Sequence, residues 1–325
     1  MSMNRRQFVQ VAGSAALLPL VGAGLAGCAT TRSGPARVAV IGGGFGGATV
    51  ATYLKKYDPK LDVTLIEPKT SYMTCPGSNW YLAGLRDAKS ITHSYEGLKK
   101  RGINVVHDTV TSVDTDGQTI KLAGGKSLDY DKVVVSPGID FKWGAVEGIT
   151  EANADKCPHA WQAGAQTELL KKQIEGMKQG GTFVMVAPPN PFRCPPGPYE
   201  RVGMVAEYFK KNNPKAKILI LDAKDKFSKQ GLFLAAWQDV YGDMIEWVAG
   251  KDGGKVTKVD AANMTVHSGY GAVKADVINA IPAQKAAALA FNMGLTNESG
   301  FCPVDMLTFE SKVKKNVYVV GDASI

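Results

Sequence analysis

The chain has 325 residues, of which 45% are hydrophobic, 21% charged and 8% aromatic. This composition excludes a disordered chain, a collagen and a small disulfide-stapled protein, and the length predicts about two domains. The formal net charge is +8, but no run of lysine and arginine is longer than three residues. The charge therefore does not favour nucleic acid as a partner.

The first 28 residues have the pattern of an export signal. Arg5 and Arg6 precede an apolar stretch, 11–27, that glycines and a proline interrupt. A positive start followed by a short apolar run is typical of secretion, and the paired arginines resemble the twin-arginine type, which is an address and not an anchor. The sequence predicts a periplasmic protein. Leu-Ala-Gly-Cys28 also resembles a lipobox, in which an acylated Cys28 would tether the protein to a membrane; ordinary cleavage is the alternative.

The clearest motif opens the remaining chain. Residues 37–41 read as a buried strand, Gly42, Gly44 and Gly47 form G-x-G-x-x-G, and residues 48–57 read as a helix. A second strand, 62–66, ends at Glu67, 20 residues after the last glycine. This order is the dinucleotide-binding unit: the glycines allow a tight turn and close approach to a pyrophosphate, and the acid accepts hydrogen bonds from ribose.

Further strands follow the dinucleotide-binding unit. They are predicted at Ile103–Asp108, Val110–Asp114, Thr119–Ala123 and Lys132–Val135. The turns between them suggest a small antiparallel excursion before the parallel sheet resumes.

The middle of the chain reads as a second dinucleotide-binding domain with a defect. Strands are predicted at 180–187 and 217–221, with a helix at 202–211 between them. Where a nicotinamide-binding turn needs glycines, residues 188–198 carry six prolines. Proline has no N–H to donate to a phosphate, so this domain is expected to have lost the pyridine nucleotide.

Two cysteines lie in loops where a thiol can take part in sulfur chemistry. Cys194 follows Arg193 in the proline-rich turn, and a neighbouring cation is expected to lower the pKa of a thiol. Cys75 follows the second strand in a loop that can reach a ligand of the first domain. An inert structural role is the alternative for each of them.

The end of the chain indicates which dinucleotide binds. A late strand, 316–320, leads into Gly321-Asp322-Ala323. This segment resembles that of flavoproteins with two dinucleotide-binding domains, in which such an aspartate lies beside the ribityl chain and pyrophosphate of FAD. The resemblance implies an FAD site made of Gly42, Gly44, Gly47, Glu67 and Asp322.

Taken together, these segments resemble the flavoprotein subunit of flavocytochrome c sulfide dehydrogenase, which is related to sulfide:quinone oxidoreductases and to the FAD-dependent pyridine nucleotide-disulfide oxidoreductases. The stretches that carry the resemblance are 42–48, 64–67, 72–79, 158–164, 191–201, 302–305 and 321–325. The run Phe-Arg-Cys-Pro-Pro-Gly-Pro-Tyr-Glu, which ends at Glu200, is the most specific of them.

The resemblance implies roles for particular residues. Cys75 would hold the FAD covalently through a thioether, Cys194 would be half of a redox-active disulfide, and Glu200 would accept a proton. Hydrosulfide would be oxidised to sulfur or polysulfide, and the electrons would pass through FAD to a c-type cytochrome subunit. The sequence has no Cys-x-x-Cys-His, so any haem is expected on that partner.

The predicted fold is α/β, with two Rossmann-like dinucleotide-binding domains. The predicted segments are an export signal at 1–28, the first part of the FAD domain at 36–157, a degenerate second domain at 158–275 and a return to the FAD domain at 276–325. The resemblance implies that the family continues beyond Ile325 into an interface domain that carries the second redox cysteine. Cys302 reads as structural, Cys157 is left open, and the four histidines have no metal-ligand spacing.

Two other functions stay open. The first is a sulfide:quinone oxidoreductase that uses the same flavin and disulfide but reduces quinone. The second is a non-catalytic flavin-binding or sulfur-carrier protein. Bleaching of the flavin by sulfide without oxygen separates an enzyme from the non-catalytic alternative.

Overall fold

A computed structural model describes residues 34–325 of the chain. The predicted export signal, with Cys28, lies outside the described residues. The helices are α1 (Phe45–Tyr57), α2 (Ser78–Leu82), α3 (Glu96–Lys99), α4 (Ala165–Glu175), α5 (Gly197–Asn212), α6 (Gln230–Tyr241) and α7 (Ala288–Asn292). Short 3-10 turns occur at Lys89–Ile91, Glu151–Asn153, Gly242–Met244 and Gly250–Asp252.

The strands follow the same chain order. They are β1 (Arg37–Ile41), β2 (Asp62–Ile66), β3 (Ser71–Met73), β4 (Thr92–Ser94), β5 (Asn104–Val106), β6 (Val110–Asp114), β7 (Thr119–Leu122), β8 (Ser127–Asp129), β9 (Lys132–Val135), β10 (Ile139–Phe141), β11 (Thr182–Ala187), β12 (Lys217–Asp222), β13 (Ile245–Val248), β14 (Val256–Asp260), β15 (Thr265–Ser268), β16 (Gly271–Lys274), β17 (Val277–Ala280), β18 (Gln284–Ala286) and β19 (Val317–Val319).

The first large sheet is parallel and contains both ends of the described chain. Its order is β19-β9-β1-β2-β5, and Val40 of β1 lies between Leu65 of β2 and Val134 of β9. The strands are apolar because both faces are covered, as parallel sheets require. The late strand β19 joins β9, so Gly321-Asp322 reaches the same edge as the glycine-rich turn.

The antiparallel insertion in the first domain has fewer strands than the sequence predicts. Of the segment 103–135, β6, β7 and β8 form an antiparallel sheet, in that order. The predicted strand Ile103–Asp108 contributes Asn104–Val106, which pairs parallel with Thr64–Ile66 in the first sheet. That part of the prediction is wrong, because a three-residue strand carries no local signal that distinguishes a parallel neighbour from an antiparallel one.

The second large sheet is also parallel, with the order β13-β12-β11-β17. Helices α4, α5 and α6 contribute Leu170, Val205 and Trp237 to the core on one of its faces. Strand β17 begins two residues after the predicted boundary at 275 and pairs with β11, so the second sheet draws its last strand from the segment 276–325. Strand β10 pairs antiparallel with β18, which joins the two segments that connect the large sheets.

Helix α5 is longer than predicted at its amino end. The sequence predicts a start at 202, whereas the helix begins at Gly197 and has Pro198 in its first turn. A proline is tolerated there because the first amides of a helix have no partner within the helix. The proline-rich turn therefore ends inside the helix, and Glu200 lies in the first turn.

Candidate functional site

A cleft of about 740 Å³ lies between the carboxyl ends of the strands of the first sheet and the proline-rich turn, and both line it. In open α/β sheets, ligands bind at this edge. Seven of the eight site residues that the sequence predicts line the cleft: Gly42, Gly44, Glu67, Cys75, Cys194, Glu200 and Asp322. Gly47 is the eighth; it is buried and does not line the cleft.

The glycine-rich turn has the geometry that its motif predicts. Gly42 adopts a φ of +97°, which favours glycine. A Cβ on Gly47 would lie 1.9 Å from the carbonyl oxygen of Gly42, so only glycine lets α1 pack this closely on the turn. A Cβ on Gly44 would meet nothing within 4 Å. Since Gly44 faces the cleft, the space beside it is available to a ligand.

Glu67 ties the ends of two strands together. Its Oε2 accepts a hydrogen bond from the amide of Gly43 at 2.8 Å, and its Oε1 accepts one from the amide of Lys69 at 3.0 Å. Each oxygen keeps a lone pair, so the carboxylate can still accept hydroxyl donors from the cleft. The hydroxyl of Tyr95 donates a hydrogen bond to the carbonyl of Gly43 at 3.0 Å, which also holds the turn in place.

Cys75 lies at the start of the loop that leads into α2. Its thiol is half-buried, and Sγ is 3.9 Å from the carbonyl oxygen of Trp161. The amide of Ser78 donates to the carbonyl of Cys75 at 2.9 Å, which holds the loop in a turn. The thiol therefore has a defined position in the wall of the cleft.

Cys194 is exposed at the apex of the proline-rich turn. It adopts a φ of +57°, a left-handed conformation that costs a non-glycine residue about 1 kcal/mol or more. The amide of Gly197 holds it there by donating to the Cys194 carbonyl at 2.8 Å. Strained residues cluster at functional sites, so this conformation makes the turn a candidate for one.

Arg193 lowers the pKa of the Cys194 thiol as expected, but desolvation of the thiol outweighs this effect. Although Cys194 is exposed as a residue, the protein atoms around its thiol desolvate the sulfur and raise its pKa. Arg193 lowers that pKa, and Glu200 and Asp322 raise it by smaller amounts. The net shift is upward, so the expectation of a lowered thiol pKa is wrong. Desolvation penalises the thiolate more than a single cation restores it.

Arg193 and Asp322 meet across the cleft. Nη1 of Arg193 lies 3.6 Å from Oδ2 of Asp322, whose side chain is 49% exposed. This distance is longer than an ordinary hydrogen bond, so the pair is a loose ion pair. Asp322 therefore remains accessible to a ligand in the cleft.

Arg201 is a site residue that the sequence analysis missed. It is buried on α5 and donates to neutral acceptors: Asn79 Oδ1, Asn279 Oδ1 and the carbonyls of His159 and Ala160. Desolvation lowers the pKa of its guanidinium to about 9, so the group keeps its charge at neutral pH. Because the predicted helix begins at 202, the sequence analysis leaves Arg201 in the preceding turn and carries no signal of its burial on α5.

The acid that ends the second strand of the second sheet is held by neighbouring side chains. Asp222 ends β12 and is fully buried; it accepts hydrogen bonds from Tyr199, from Lys224 Nζ at 2.7 Å and from Trp247 Nε1 at 3.1 Å. The Tyr199 ring stacks on Phe227, with 3.7 Å between the ring centroids. The acid at the end of this strand is therefore engaged within the protein.

The other two described cysteines lie outside the cleft. Cys157 and Cys302 are both buried, and burial raises the pKa of each thiol to about 11. These observations agree with structural roles. Within residues 34–325, no cluster of histidine, cysteine and acidic side chains could hold a metal ion, and no helix has the length and apolarity to cross a bilayer.

The fold is similar to that of the Rossmann-type FAD- and NAD-dependent oxidoreductases. A family model for pyridine nucleotide-disulphide oxidoreductase matches residues 36–176. The sulfide:quinone oxidoreductase of Aquifex aeolicus superposes with a TM-score of 0.70 at 21% identity, covering 89% of this chain and 69% of that one. Other similar structures include a water-forming NADH oxidase from Lactobacillus brevis, with a TM-score of 0.68.

The sequence comparisons are more specific. A model described as the central part of the sulfide dehydrogenase [flavocytochrome c] flavoprotein chain matches residues 167–282. The flavoprotein chain from Chlorobaculum thiosulfatiphilum is 63% identical over 46 residues, which are 14% of this chain and 96% of that relative. The chain belongs to the family of flavoprotein sulfide dehydrogenases and related sulfide:quinone oxidoreductases.

More distant relatives match over a greater length. A mitochondrial sulfide:quinone oxidoreductase from Dictyostelium discoideum is 23% identical over 302 residues. That match covers 89% of this chain and 65% of the relative, so the chain spans slightly less than two thirds of that protein.

Proposed function

We propose that this chain is the flavoprotein of an FAD-dependent sulfide dehydrogenase. The observation that carries the proposal is the cleft, which brings the glycine-rich turn together with two cysteines that line it, Cys75 and Cys194. One wall supplies the glycine-rich turn and Cys75, and the other supplies Cys194 in a strained turn. A nicotinamide domain would present glycines where this chain presents prolines.

The residues of the first wall fit FAD. The open space at Gly44 receives a pyrophosphate, the Glu67 carboxylate accepts ribose hydroxyls, and Asp322 accepts hydroxyls of the ribityl chain. When bound, FAD supplies an acceptor for two electrons that can be passed on singly. We propose that Cys75 links the flavin covalently, because its half-buried thiol lies in the same cleft.

The residues of the second wall handle the sulfur. Conversion of one hydrosulfide ion to zero-valent sulfur releases two electrons and one proton. Cys194, as half of a disulfide with the second redox cysteine that the resemblance implies, is the proposed site where the incoming sulfur forms its new S–S bond, with that partner cysteine leaving as a thiolate. A second hydrosulfide would then take the outer sulfur as polysulfide and leave Cys194 as a thiolate, and re-formation of the disulfide from the two thiolates would pass two electrons to FAD. Glu200 lies in the same cleft and accepts the proton. Sulfur leaves as polysulfide or elemental sulfur.

The electron acceptor is proposed to be a c-type cytochrome subunit. The 63% identity to the Chlorobaculum thiosulfatiphilum flavoprotein chain supports this acceptor over a segment of 46 residues. Quinone is the second candidate, since several relatives are sulfide:quinone oxidoreductases. Reoxidation of the sulfide-reduced protein by cytochrome c, but not by a soluble quinone, is the expected result; the reverse preference would favour the second candidate.

The periplasm is the proposed location. Its support is the sequence of residues 1–28, in which paired arginines precede an apolar stretch. Acylation of Cys28 would add a membrane tether. Metabolic labelling with a fatty acid in the native host, compared between the wild type and Cys28→Ala, tests that tether.

The function is tested by adding hydrosulfide to the FAD-loaded protein without oxygen. We expect the visible flavin band to bleach in the wild type, and Cys194→Ala to bleach at least about 100-fold more slowly, as for loss of a nucleophile. Cys157→Ala is the matched control, because it removes a buried thiol outside the cleft. An FAD-loaded wild type that does not bleach would favour a non-catalytic flavin-binding or sulfur-carrier protein.

A further inference from the structure

Arg193 points an incompletely satisfied guanidinium at the cleft. Its side chain is 14% exposed, its amide is pinned by Gln284 Oε1 at 2.9 Å, and its buried Nε has no hydrogen-bond partner among the described residues. Its carboxylate neighbour, Asp322, is half exposed and 3.6 Å away. A buried N–H without an acceptor costs about 1–3 kcal/mol, so this donor favours a ligand that can accept from it.

Trp161 is a second donor on the same wall. The residue is 3% exposed, and its buried Nε1 has no partner within the described chain. A Cβ on Gly197 would lie 2.7 Å from Trp161 Cη2 and 3.1 Å from Cys194 Sγ, so the indole and the thiol flank the same glycine. The unsatisfied indole therefore belongs to the immediate surroundings of Cys194.

Two guanidinium groups flank this indole. The Arg193 Cζ is 5.4 Å and the Arg201 Cζ 4.9 Å from the centroid of the Trp161 ring. Arg201 is bound by neutral acceptors, so its charge is not cancelled by a direct ion pair in that set of contacts. Buried charges are usually paired, and this wall therefore favours an anion.

The carboxylates in the cleft do not cancel the preference of this wall for an anion. Glu67 accepts from two backbone amides on the first wall, while Glu200 and Asp322 act on Cys194. Arg193 has a larger effect on the Cys194 thiol than either of those two acids. Arg193 is therefore the strongest single charge acting on the thiol, and the two acids oppose it.

We propose that Arg193 and Trp161 form an anion-binding subsite beside Cys194 that receives inorganic sulfur anions, namely hydrosulfide and the terminal sulfur of a persulfide or polysulfide. In its assignment of sulfur ligands, this inference rests on the proposed function. The guanidinium attracts the negative charge, and the indole N–H donates to the anion. The subsite makes Arg193 a binding residue for the substrate and for a growing sulfur chain.

The subsite is tested by alkylating Cys194 with two reagents that differ in charge. Iodoacetate carries a negative charge and iodoacetamide is neutral, and both react with the same thiolate. We expect the ratio of their rate constants at Cys194, followed by peptide mass spectrometry of the full chain, to fall about tenfold in Arg193→Gln. A change in thiol pKa alters both rates equally and cancels in the ratio.

Two further variants keep the test decisive. Arg193→Lys retains the charge and is expected to keep most of the ratio, which covers the case in which Arg193→Gln folds poorly. Arg101→Gln removes an exposed cation outside the cleft and is expected to leave the ratio unchanged. An unchanged ratio in Arg193→Gln, or an equal fall in Arg101→Gln, would overturn the proposal.

Sulfide titration then connects the subsite to its ligands. In the FAD-loaded protein, Arg193→Gln should raise the hydrosulfide concentration for half-maximal reduction rate about tenfold, with a smaller effect on the limiting rate. Failure of the wild type to be reduced by sulfide would defeat the proposed function, while a charge-dependent alkylation ratio would still locate an anion subsite. Normal reduction with an unchanged ratio would defeat the subsite alone.

Discussion

At the scale of the residue, the proposed site has two cysteines in different environments. Cys194 is exposed and strained, and desolvation and acids raise its pKa against the opposing effect of Arg193. Cys75 is half-buried in a regular turn. The sequence predicts both as reactive candidates from their loops. It could not predict the pKa direction at Cys194, because desolvation depends on atoms brought there by the fold.

The assignment of Cys75 as the flavin attachment gives a direct prediction. Acid-precipitated wild type should stay yellow, whereas Cys75→Ser should release all of its flavin to the supernatant, because serine cannot form the thioether. The measurement is flavin absorbance in both fractions. Cys302→Ala serves as the control, since it removes a buried thiol that does not line the cleft. A colourless wild-type precipitate from the flavin-loaded protein would contradict the attachment.

At the scale of the element, two glycines of the glycine-rich turn serve different purposes: one allows close packing in the fold and the other leaves room for a cofactor. Gly47 touches the backbone of Gly42, and Gly44 faces open space in the cleft. The motif was readable from the sequence because its spacing is local. The length of α5 was not, since the prolines before residue 202 look like a loop until tertiary contacts hold them in a first helical turn.

A pair of alanine variants tests these two purposes. Gly47→Ala should lower the free energy of unfolding of the apoprotein by about 1–3 kcal/mol, because its Cβ overlaps the Gly42 carbonyl. Gly44→Ala should leave that stability within about 0.5 kcal/mol and weaken FAD binding at least about tenfold, because its Cβ occupies the place of the pyrophosphate. Urea denaturation and flavin titration measure the two effects. Equal flavin affinity in Gly44→Ala and wild type would contradict the assigned binding turn.

At the scale of the whole molecule, one buried cluster ties segments of distant sequence together. Arg201 on α5 contacts Asn79 on α2, Asn279 on β17 and the carbonyl of His159. The ring of His159 packs on Phe141, with 4.4 Å between the ring centroids. The sequence analysis left the histidines without metal-ligand spacing, and the described structure gives His159 a packing role.

The burial of His159 predicts a loss of stability in acid. Desolvation, with smaller effects of Arg201 and Arg193, lowers the pKa of His159 from 6.5 to about 4, and its Nδ1 accepts a hydrogen bond from the Trp161 amide at 3.0 Å. The folded state therefore disfavours protonation of the His159 imidazole. The associated stability is present above pH 6.5 and is lost as the pH falls to about 4, by roughly 3 kcal/mol.

The measurement is urea denaturation of wild type and His159→Asn between pH 7 and pH 4. Asparagine keeps an acceptor and does not titrate, so the free energy of unfolding of the variant should fall less steeply by roughly 3 kcal/mol over this range. His93→Asn, at an exposed position on β4, is the matched control. Parallel pH profiles for wild type and His159→Asn would show that His159 does not make this contribution.

The sequence by itself determined the class of fold, the dinucleotide-binding turn and the resemblance to sulfide dehydrogenases. Those features are written in local spacing: strand, glycines, helix and acid follow one another within about 30 residues, as a βαβ unit requires. Only the tertiary structure decided that β5 pairs in parallel within the first sheet, that Cys75 and Cys194 share one cleft, and that Arg193, Trp161 and Arg201 form a cationic wall. These arrangements join residues far apart in the chain, and burial and charge act through distance in space.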